Sequence, residues 1–374
     1  MSVSVSAFGC LTIDIAAMVR NWQSLKAALN PGAECAAVVK ANAYGMGVAE
    51  AAPALAEAGC RTFFVASLAE ALELLGLLPA AARIFVLAGC MPGEEHTFIE
   101  QNIRPVIISA DMLARWLSAC RAHSGATSDG DCPPAALKID TGMNRYGIRA
   151  DDVQRLGDEL YGCRFELVMS HLACADEPEH PLNQLQKQRF AQLASLLKKR
   201  LPHAVFSLAN SAGIALGSEF HFDLVRPGVA LYGGQLPSEE IPILPVARLE
   251  LPVVAVHLAR QGEGIGYGAT FICECDKKLI TVSGGYADGV LRSLSGNGKG
   301  FIEGFAIPLV GRVSMDSLVF DVSGLPENVR VEEGTLVEIL GPHQGVDELA
   351  QQAGTISYEI MTSFGGRYRR VYHV

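Results

Sequence analysis

Apolar and polar positions follow two rhythms along the first two-thirds of the chain. Ile15, Val19, Trp22, Leu25 and Leu29 recur at steps of three and four, the spacing of a helix with one buried face, and Pro31-Gly32 ends it. Eight short apolar runs follow, at residues 35–40, 63–67, 83–89, 104–109, 135–140, 166–171, 205–210 and 224–233. Each is too short for a helix and reads as a buried strand. Helical patterns separate them, for example at residues 110–124 and 183–200. Strand–helix alternation implies right-handed parallel crossovers. Eight such units predict an α/β fold built on a closed (β/α)8 TIM-type barrel.

The rhythm changes at Pro242-Ile243-Leu244-Pro245. Strand patterns then dominate, at residues 248–260, 279–283, 300–313, 317–322 and 335–340, with two short helices at 346–353 and 357–363. The predicted organisation is a barrel over residues 1–242 and a C-terminal mostly-β domain over 243–374. Residues 1–11 are available to pair with the second domain. The stretch 127–134 (TSDGDCPP) reads as a loop insertion.

Composition narrows the function classes. The chain has 374 residues, 49% of them hydrophobic and 19% charged, which excludes a disordered chain. Its formal net charge of −10 argues against nucleic acid and anionic membrane as partners, since both require a basic surface. The longest stretch without Asp, Glu, Lys or Arg, residues 201–218, contains proline, histidine, asparagine and serines and is a poor membrane span. No secretory signal is evident at the N-terminus. The ten cysteines are scattered with no CxxC pair, so no metal site is expected. Reduced thiols in a cytoplasmic protein are the preferred reading.

In a barrel of this type the active site lies at the C-terminal ends of the strands. Those ends carry Lys40, Ser67, Asp140 with Arg145 beyond it, His171, Asn210 with Ser211, and Arg226. A lysine behind Ala36-Ala37-Val38-Val39 is the sharpest of these. Burial and neighbouring cations lower the pKa of such an amine and free it for Schiff-base chemistry. Taken alone, a solvated strand-end lysine is the more frequent outcome.

The surroundings change that balance. Lys40 lies in AVVKANAYGMG, and seven further segments follow in order: LKIDTGMNRYG, SLANSAG, DLVRPGVALYG, GEGIGYGATF, GGYADGVLRSLS, VGRVSMDS and ISYEIMTSF. Together they resemble the alanine racemase family over nearly the whole chain. The resemblance implies a barrel plus a β domain, pyridoxal 5'-phosphate as cofactor, and interconversion of L- and D-alanine by a two-base mechanism, supplying D-alanine for peptidoglycan.

It also implies residue roles. Lys40 would hold the cofactor as an aldimine and act as one base; Tyr267, from the partner subunit of a homodimer, would be the other. A phenol ordinarily titrates near 10, so its anion at pH 7 costs about 4 kcal/mol unless cations help. Arg226 would face the pyridine nitrogen, with His171 supporting it. Tyr44, Asn210, Ser211, Gly228, Val229 and Tyr358 would bind the cofactor, most of them at its phosphate. Arg145, with Met315 and Asp316 of the partner, would hold the substrate, and Asp140 and Tyr286 would shape the same region. Lys138 matches a lysine that is carbamylated in many members. Position 314 is serine where cysteine is common, and position 207 is serine where some members carry histidine.

Each residue also has a plainer reading: Tyr267 as a packed strand tyrosine, Arg226 as a surface partner of Asp223, Ser211 as a helix cap, Arg145 and Lys138 as a solvated ion-pair face. Other functional readings are a broader racemase acting on serine, lysine or arginine, a decarboxylase of the same fold class, and a non-catalytic pyridoxal-phosphate-binding protein. Arg226 argues against the decarboxylase, and Tyr267 with its β domain against the non-catalytic protein.

Overall fold

The computed structural model describes residues 9–123 and 133–374. Most of the expected loop insertion at 127–134 lies outside them. The chain divides into two compact units. One comprises Val19–Leu231 and Gln235–Ile243; the other comprises residues up to Met18, Tyr232–Gly234 and Leu244–Val374.

The first unit is the barrel. Strands Ala37–Val38, Thr62–Val65, Arg83–Val86, Arg104–Ile107, Ala135–Lys138, Phe165–Met169 and Val205–Ser207 pair in that order, every neighbour parallel. Strand Leu224–Val225 pairs in parallel with Glu34–Cys35, which leads through Ala36 into Ala37–Val38. Its other edge is bonded too: Asp223 N–H donates to Phe206 O at 2.9 Å and Arg226 N–H to Ala209 O at 3.0 Å. The eighth strand thus joins the seventh to the first, and the ring closes.

These strands are apolar without alternation because helices cover one face and the packed interior the other. Thr62–Val65 and Ala135–Lys138 are buried at every position. Phe64 and Phe85 stack with centroids 5.2 Å apart. Charges gather at the strand starts instead. Arg83 pairs with Glu34 and donates to Thr62 Oγ1 at 2.6 Å, and Arg104 pairs with Glu166. That end of a barrel serves stability.

The second unit is mostly β. Its long strand, Ala247–Ala259, is the branch point of one eight-stranded sheet. The first half pairs with Cys10–Asp14 and Leu336–Leu340, and the second half pairs with Lys277–Ser283. The register shifts between Val253 and Ala255, just after Pro252, whose ring nitrogen has no hydrogen to give a ladder. Cys10–Asp14 is also flanked by the last strand, Arg369–His373.

One expected strand is a hairpin. Residues 300–313 fold back as Lys299–Ile302 against Phe305–Pro308. The two-residue turn between them, Glu303-Gly304, has φ of 49° and 83°, the left-handed geometry that matches strand twist. The expected helices are present as Val346–Ala353 and Ser357–Ser363.

Eight cysteines are free thiols among the described residues. Cys120 is disulfide-bonded, which departs from the fully reduced expectation. No helix among the described residues is long and apolar enough to cross a membrane.

Candidate active site

The mouth of the barrel gathers cations. Lys40 follows strand Ala37–Val38 after Val39, Lys138 ends the fifth strand, Arg145 lies on the loop beyond it, and Arg226 follows the eighth. Burial lowers the Lys40 amine below its ordinary value, and Arg145 lowers it further. Lys138, 5% exposed, is brought down to about 8 by burial and then by Arg226, Arg145 and Lys40. Burial takes Arg226 to about 9, so it stays a cation at neutral pH. His171 is held neutral, first by burial and then by the same cations.

Arg226 is 4% exposed, and neutral acceptors surround its fork. It donates to Ser207 Oγ, to Ser170 O at 2.5 Å and to Leu208 O at 3.4 Å, with His171 Nδ1 also 3.4 Å away. Ser207 Oγ passes its own hydrogen to Leu224 O at 2.6 Å, which turns a lone pair toward the guanidinium. Arg226 is therefore no surface partner of Asp223, whose carboxylate accepts the Phe206 N–H at 2.8 Å.

The Arg145 loop is organised by Asp140. One carboxylate oxygen, Oδ1, accepts the N–H groups of Gly142, Met143 and Asn144 at 2.9, 3.0 and 3.1 Å. Tyr146 then serves both cations, with Lys138 Nζ 5.4 Å and Arg145 Cζ 5.6 Å from its ring centroid. Lys138 is thus buried rather than on a solvated face, while Arg145 stays exposed.

Tyr44, Ser211 and Gly228 converge on one another. Ser211 Oγ accepts the N–H of Gly228 at 2.9 Å and of Ala230 at 3.3 Å. A Cβ on Gly228 would lie 2.3 Å from Tyr44 Oη, so only glycine allows the approach. Lys40 Nζ lies 6.0 Å from the Tyr44 ring centroid. Val229 is buried beside Gly228. The cap of helix Ser211–Ala215 is Asn210, whose Oδ1 accepts the Gly213 N–H at 2.9 Å; the sequence reading placed the cap one residue later.

Tyr267, Met315, Asp316 and Tyr358 belong to the β unit. Tyr267 is 72% exposed rather than packed in a strand, on a tight turn whose flanking Gly266 and Gly268 have φ of 70° and 72°. Those glycines supply left-handed backbone. The Arg312 guanidinium lies 3.3 Å from where a side chain on Gly268 would begin, a cation beside the phenol's turn. Met315 is 52% exposed, and its N–H has no acceptor among the described residues. Tyr358 lies in helix Ser357–Ser363 and its carbonyl accepts the Thr362 hydroxyl at 2.7 Å.

Two supporting residues escaped the sequence reading. Gln186, fully buried, donates to Thr141 Oγ1 at 3.1 Å and His171 O at 2.9 Å, and accepts the Ala173 N–H at 2.9 Å. Thr141 in turn bonds Ser170 at 2.8 Å. Gln186 lies on helix Pro181–Leu197 and leaves no sign in the sequence, because its partners lie on the loops after the fifth and sixth barrel strands. Glu70 does have a readable sign, the S-x-x-E spacing of a capping box in Ser67-Leu68-Ala69-Glu70.

With this geometry in place, the comparisons with known proteins decide the family. The pattern of the alanine racemase N-terminal domain matches residues 13–236, and that of the C-terminal domain matches residues 246–372. The chain belongs to the alanine racemase family. It is 45% identical over 370 residues to an alanine racemase of Rhodospirillum rubrum, covering 98% of this chain and 96% of that one. It is 46% identical over 365 residues to an alanine racemase of Acidiphilium cryptum, covering 96% of this chain and 98% of that one. Among solved structures, alanine racemase from Bartonella henselae with covalently bound pyridoxal phosphate superposes with a TM-score of 0.91. The two are 37% identical, covering 98% of this chain and all of that one.

Proposed function

We propose that this chain is a pyridoxal-phosphate-dependent alanine racemase, interconverting L- and D-alanine. The observation that carries the reading is the gathering of Lys40, Lys138, Arg145 and Arg226 at one barrel mouth, where burial and mutual repulsion lower both amines. Such a cluster calls for an anion, and the cofactor's phosphate and the substrate's carboxylate are anions. The Gly228–Tyr44 approach and the Ser211 hydroxyl form a cradle of neutral donors suited to a phosphate.

When bound, the cofactor withdraws electron density from the substrate's Cα and makes its proton removable. Lys40 would hold it covalently through Nζ. The Lys40 amine would also move the Cα proton on one face, and its lowered pKa keeps a larger share unprotonated near neutrality. Tyr267 of the partner subunit delivers or takes the proton on the other face. Arg226 holds the pyridine nitrogen without giving up its own proton, and neutral His171 keeps the guanidinium in place.

Tyr44, Ser211, Gly228 and Val229 hold the phosphate end, and Asn210 binds the cofactor beside them. Arg145 forks to the substrate carboxylate, and the open Met315 N–H and Asp316 of the partner complete that end. Lys138 takes up CO2 as a carbamate, losing one amine proton and becoming an anion between three cations.

We further infer a homodimer, supported by the exposure of Tyr267 and Met315, and a cytoplasmic enzyme supplying D-alanine to peptidoglycan. The deciding test is purified chain supplied with pyridoxal phosphate. L-Alanine should be converted to D-alanine, and borohydride should fix the cofactor on Lys40. An adduct elsewhere, or no turnover of alanine by cofactor-loaded protein, would overturn the reading.

A further inference from the structure

Lys40 is followed by Ala41, Asn42, Ala43 and Tyr44, all with φ between 52° and 54°. None is glycine, and L-residues in succession avoid this left-handed conformation because Cβ crowds the following carbonyl. The run forms one left-handed turn, closed by Gly45 N–H to Ala41 O at 2.8 Å and Gly47 N–H to Asn42 O at 3.0 Å. Conformations of this kind persist only where the surroundings over-determine them.

Two side chains hold the turn. At its far end Asn42 Oδ1 accepts the Val48 N–H at 2.7 Å. At its near end Glu70 Oε1 accepts the Ala41 N–H, adjacent to Lys40, at 2.8 Å. The other oxygen of that carboxylate accepts the N–H groups of Ala66 at 2.6 Å and Ser67 at 3.3 Å, where the second barrel strand ends. One carboxylate thus ties the lysine's turn to the neighbouring strand end with three N–H groups on two oxygens.

We propose that Glu70 is a positioning residue: by bridging Ala41 to the Ala66-Ser67 strand end it holds the left-handed turn that aims the Lys40 amine. This rests on the reading that Lys40 carries the cofactor and serves as a base. The carboxylate is needed as an acceptor at both ends. The amide of Glu70→Gln would turn NH2 toward one set of N–H donors and release either the turn or the strand end.

The test compares wild type, Glu70→Gln, and each of them in an Ala41→Gly/Ala43→Gly background, where glycine removes the crowding. Two readouts are taken: hydrogen exchange over residues 40–47 in cofactor-free protein, and kcat and KM for alanine in loaded protein. Glu70→Gln should speed exchange and lower kcat about tenfold with KM within about twofold, the scale expected of a misplaced catalytic group. In the glycine background the same substitution should cost no more than about threefold.

Unchanged exchange and kcat in Glu70→Gln would overturn the proposal. An undiminished loss in the glycine background would also overturn it, since Glu70 would then act only through the helix cap. If Glu70→Gln does not fold, Glu70→Asp, too short to span both ends, is measured in its place with the same expectations. A wild-type chain that takes no borohydride label at Lys40 refutes the reading of the site, and exchange alone then decides whether Glu70 holds the turn.

Discussion

The Arg367 guanidinium makes a bidentate pair with the Asp288 carboxylate, Nε to Oδ1 at 2.5 Å and Nη2 to Oδ2 at 2.7 Å. Asp288 is fully buried, and its Oδ2 also accepts the Gly285 N–H at 3.0 Å. The third arm of the arginine reaches Asp316 Oδ1 at 2.7 Å. Around this pair, Gly284, Tyr286 and Ala287 donate backbone N–H groups to Asp316, Ser314 and Met315 at 3.0, 3.0 and 3.1 Å. A Cβ on Gly285 would lie 2.3 Å from Ser314 O. The segment carrying Met315 and Asp316 is thereby pinned to the loop carrying Tyr286.

Removing the fork should loosen that platform while leaving the barrel residues alone. For Arg367→Ala we expect KM for alanine to rise on the order of tenfold, with kcat changing less, because the Met315 N–H proposed to hold the substrate loses its fixed position. The unfolding midpoint should also fall, since Asp288 is left buried without its partner. Steady-state kinetics beside a thermal melt check this; an unchanged KM would remove Arg367 from the substrate site.

Gly228 leads to a second prediction. Gly228→Ala places a methyl where Tyr44 Oη now lies, and Tyr44 is itself buried with little room to retreat. Cofactor affinity should weaken about a hundredfold, with the fold retained, because the clash falls on the cradle and not on the strands. Spectral titration of cofactor-free protein with pyridoxal phosphate measures it.

How far these features could be read in the sequence depends on whether their signal is local. The barrel strands were legible because burial on both faces makes runs such as Phe63-Phe64-Val65 continuously apolar, and their ends then pointed to Lys40, His171 and Arg226, whereas Lys138 was reached only through the family resemblance. The turn at Glu303-Gly304 was missed because only one of its residues is a usual left-handed residue, so the hairpin read as one long strand. The left-handed turn after Lys40 was invisible for the same reason: Ala41-Asn42-Ala43-Tyr44 contains no glycine, and the bond that holds it comes from Glu70, on another element. Gln186 bonds from its helix to loops distant in sequence and leaves no pattern.

Arg226 offers a test of cofactor electronics. A guanidinium that keeps its proton at neutral pH among neutral acceptors should leave the pyridine nitrogen unprotonated, which weakens the ring as an electron sink and should suppress transamination. Arg226→Glu should lower racemisation at least a hundredfold and raise the ratio of pyruvate formed to alanine racemised. Coupled detection of pyruvate during turnover measures the ratio, and an unchanged ratio would refute the argument.

Lys138 ties the site to pH. Its ordinary value is 10.5 and the fold lowers it to about 8, mainly by burial. Below pH 8 both folded and unfolded chains hold the proton, and the buried ammonium destabilises the fold. Between about 8 and 10.5 the unfolded chain binds the extra proton, so Lys138 makes stability rise with pH across that window. The neutral amine present near pH 8 is also the form that captures CO2. Labelled bicarbonate should give a carbonyl resonance by carbon NMR that grows through pH 8 and is absent from Lys138→Ala. A labelled signal that survives that substitution would place the carbamate elsewhere.

Tyr267 decides whether two bases share the work. Its phenol is exposed on a glycine-flanked turn, as the proposed role in a partner's site requires, and Arg312 beside that turn supplies positive charge near it. Tyr267→Phe keeps the ring and removes only the proton carrier, so racemisation should fall by about two to four orders of magnitude, the usual contribution of a positioned acid or base. In deuterated water, Cα proton exchange should persist for one enantiomer, served by Lys40, and vanish for the other. Co-expressed Lys40→Ala and Tyr267→Phe chains should regain activity, because in a mixed dimer one site draws its lysine and its tyrosine from intact donors. Equal loss of exchange for both enantiomers would refute the division of faces, and no recovery in a verified mixed dimer would refute the shared site.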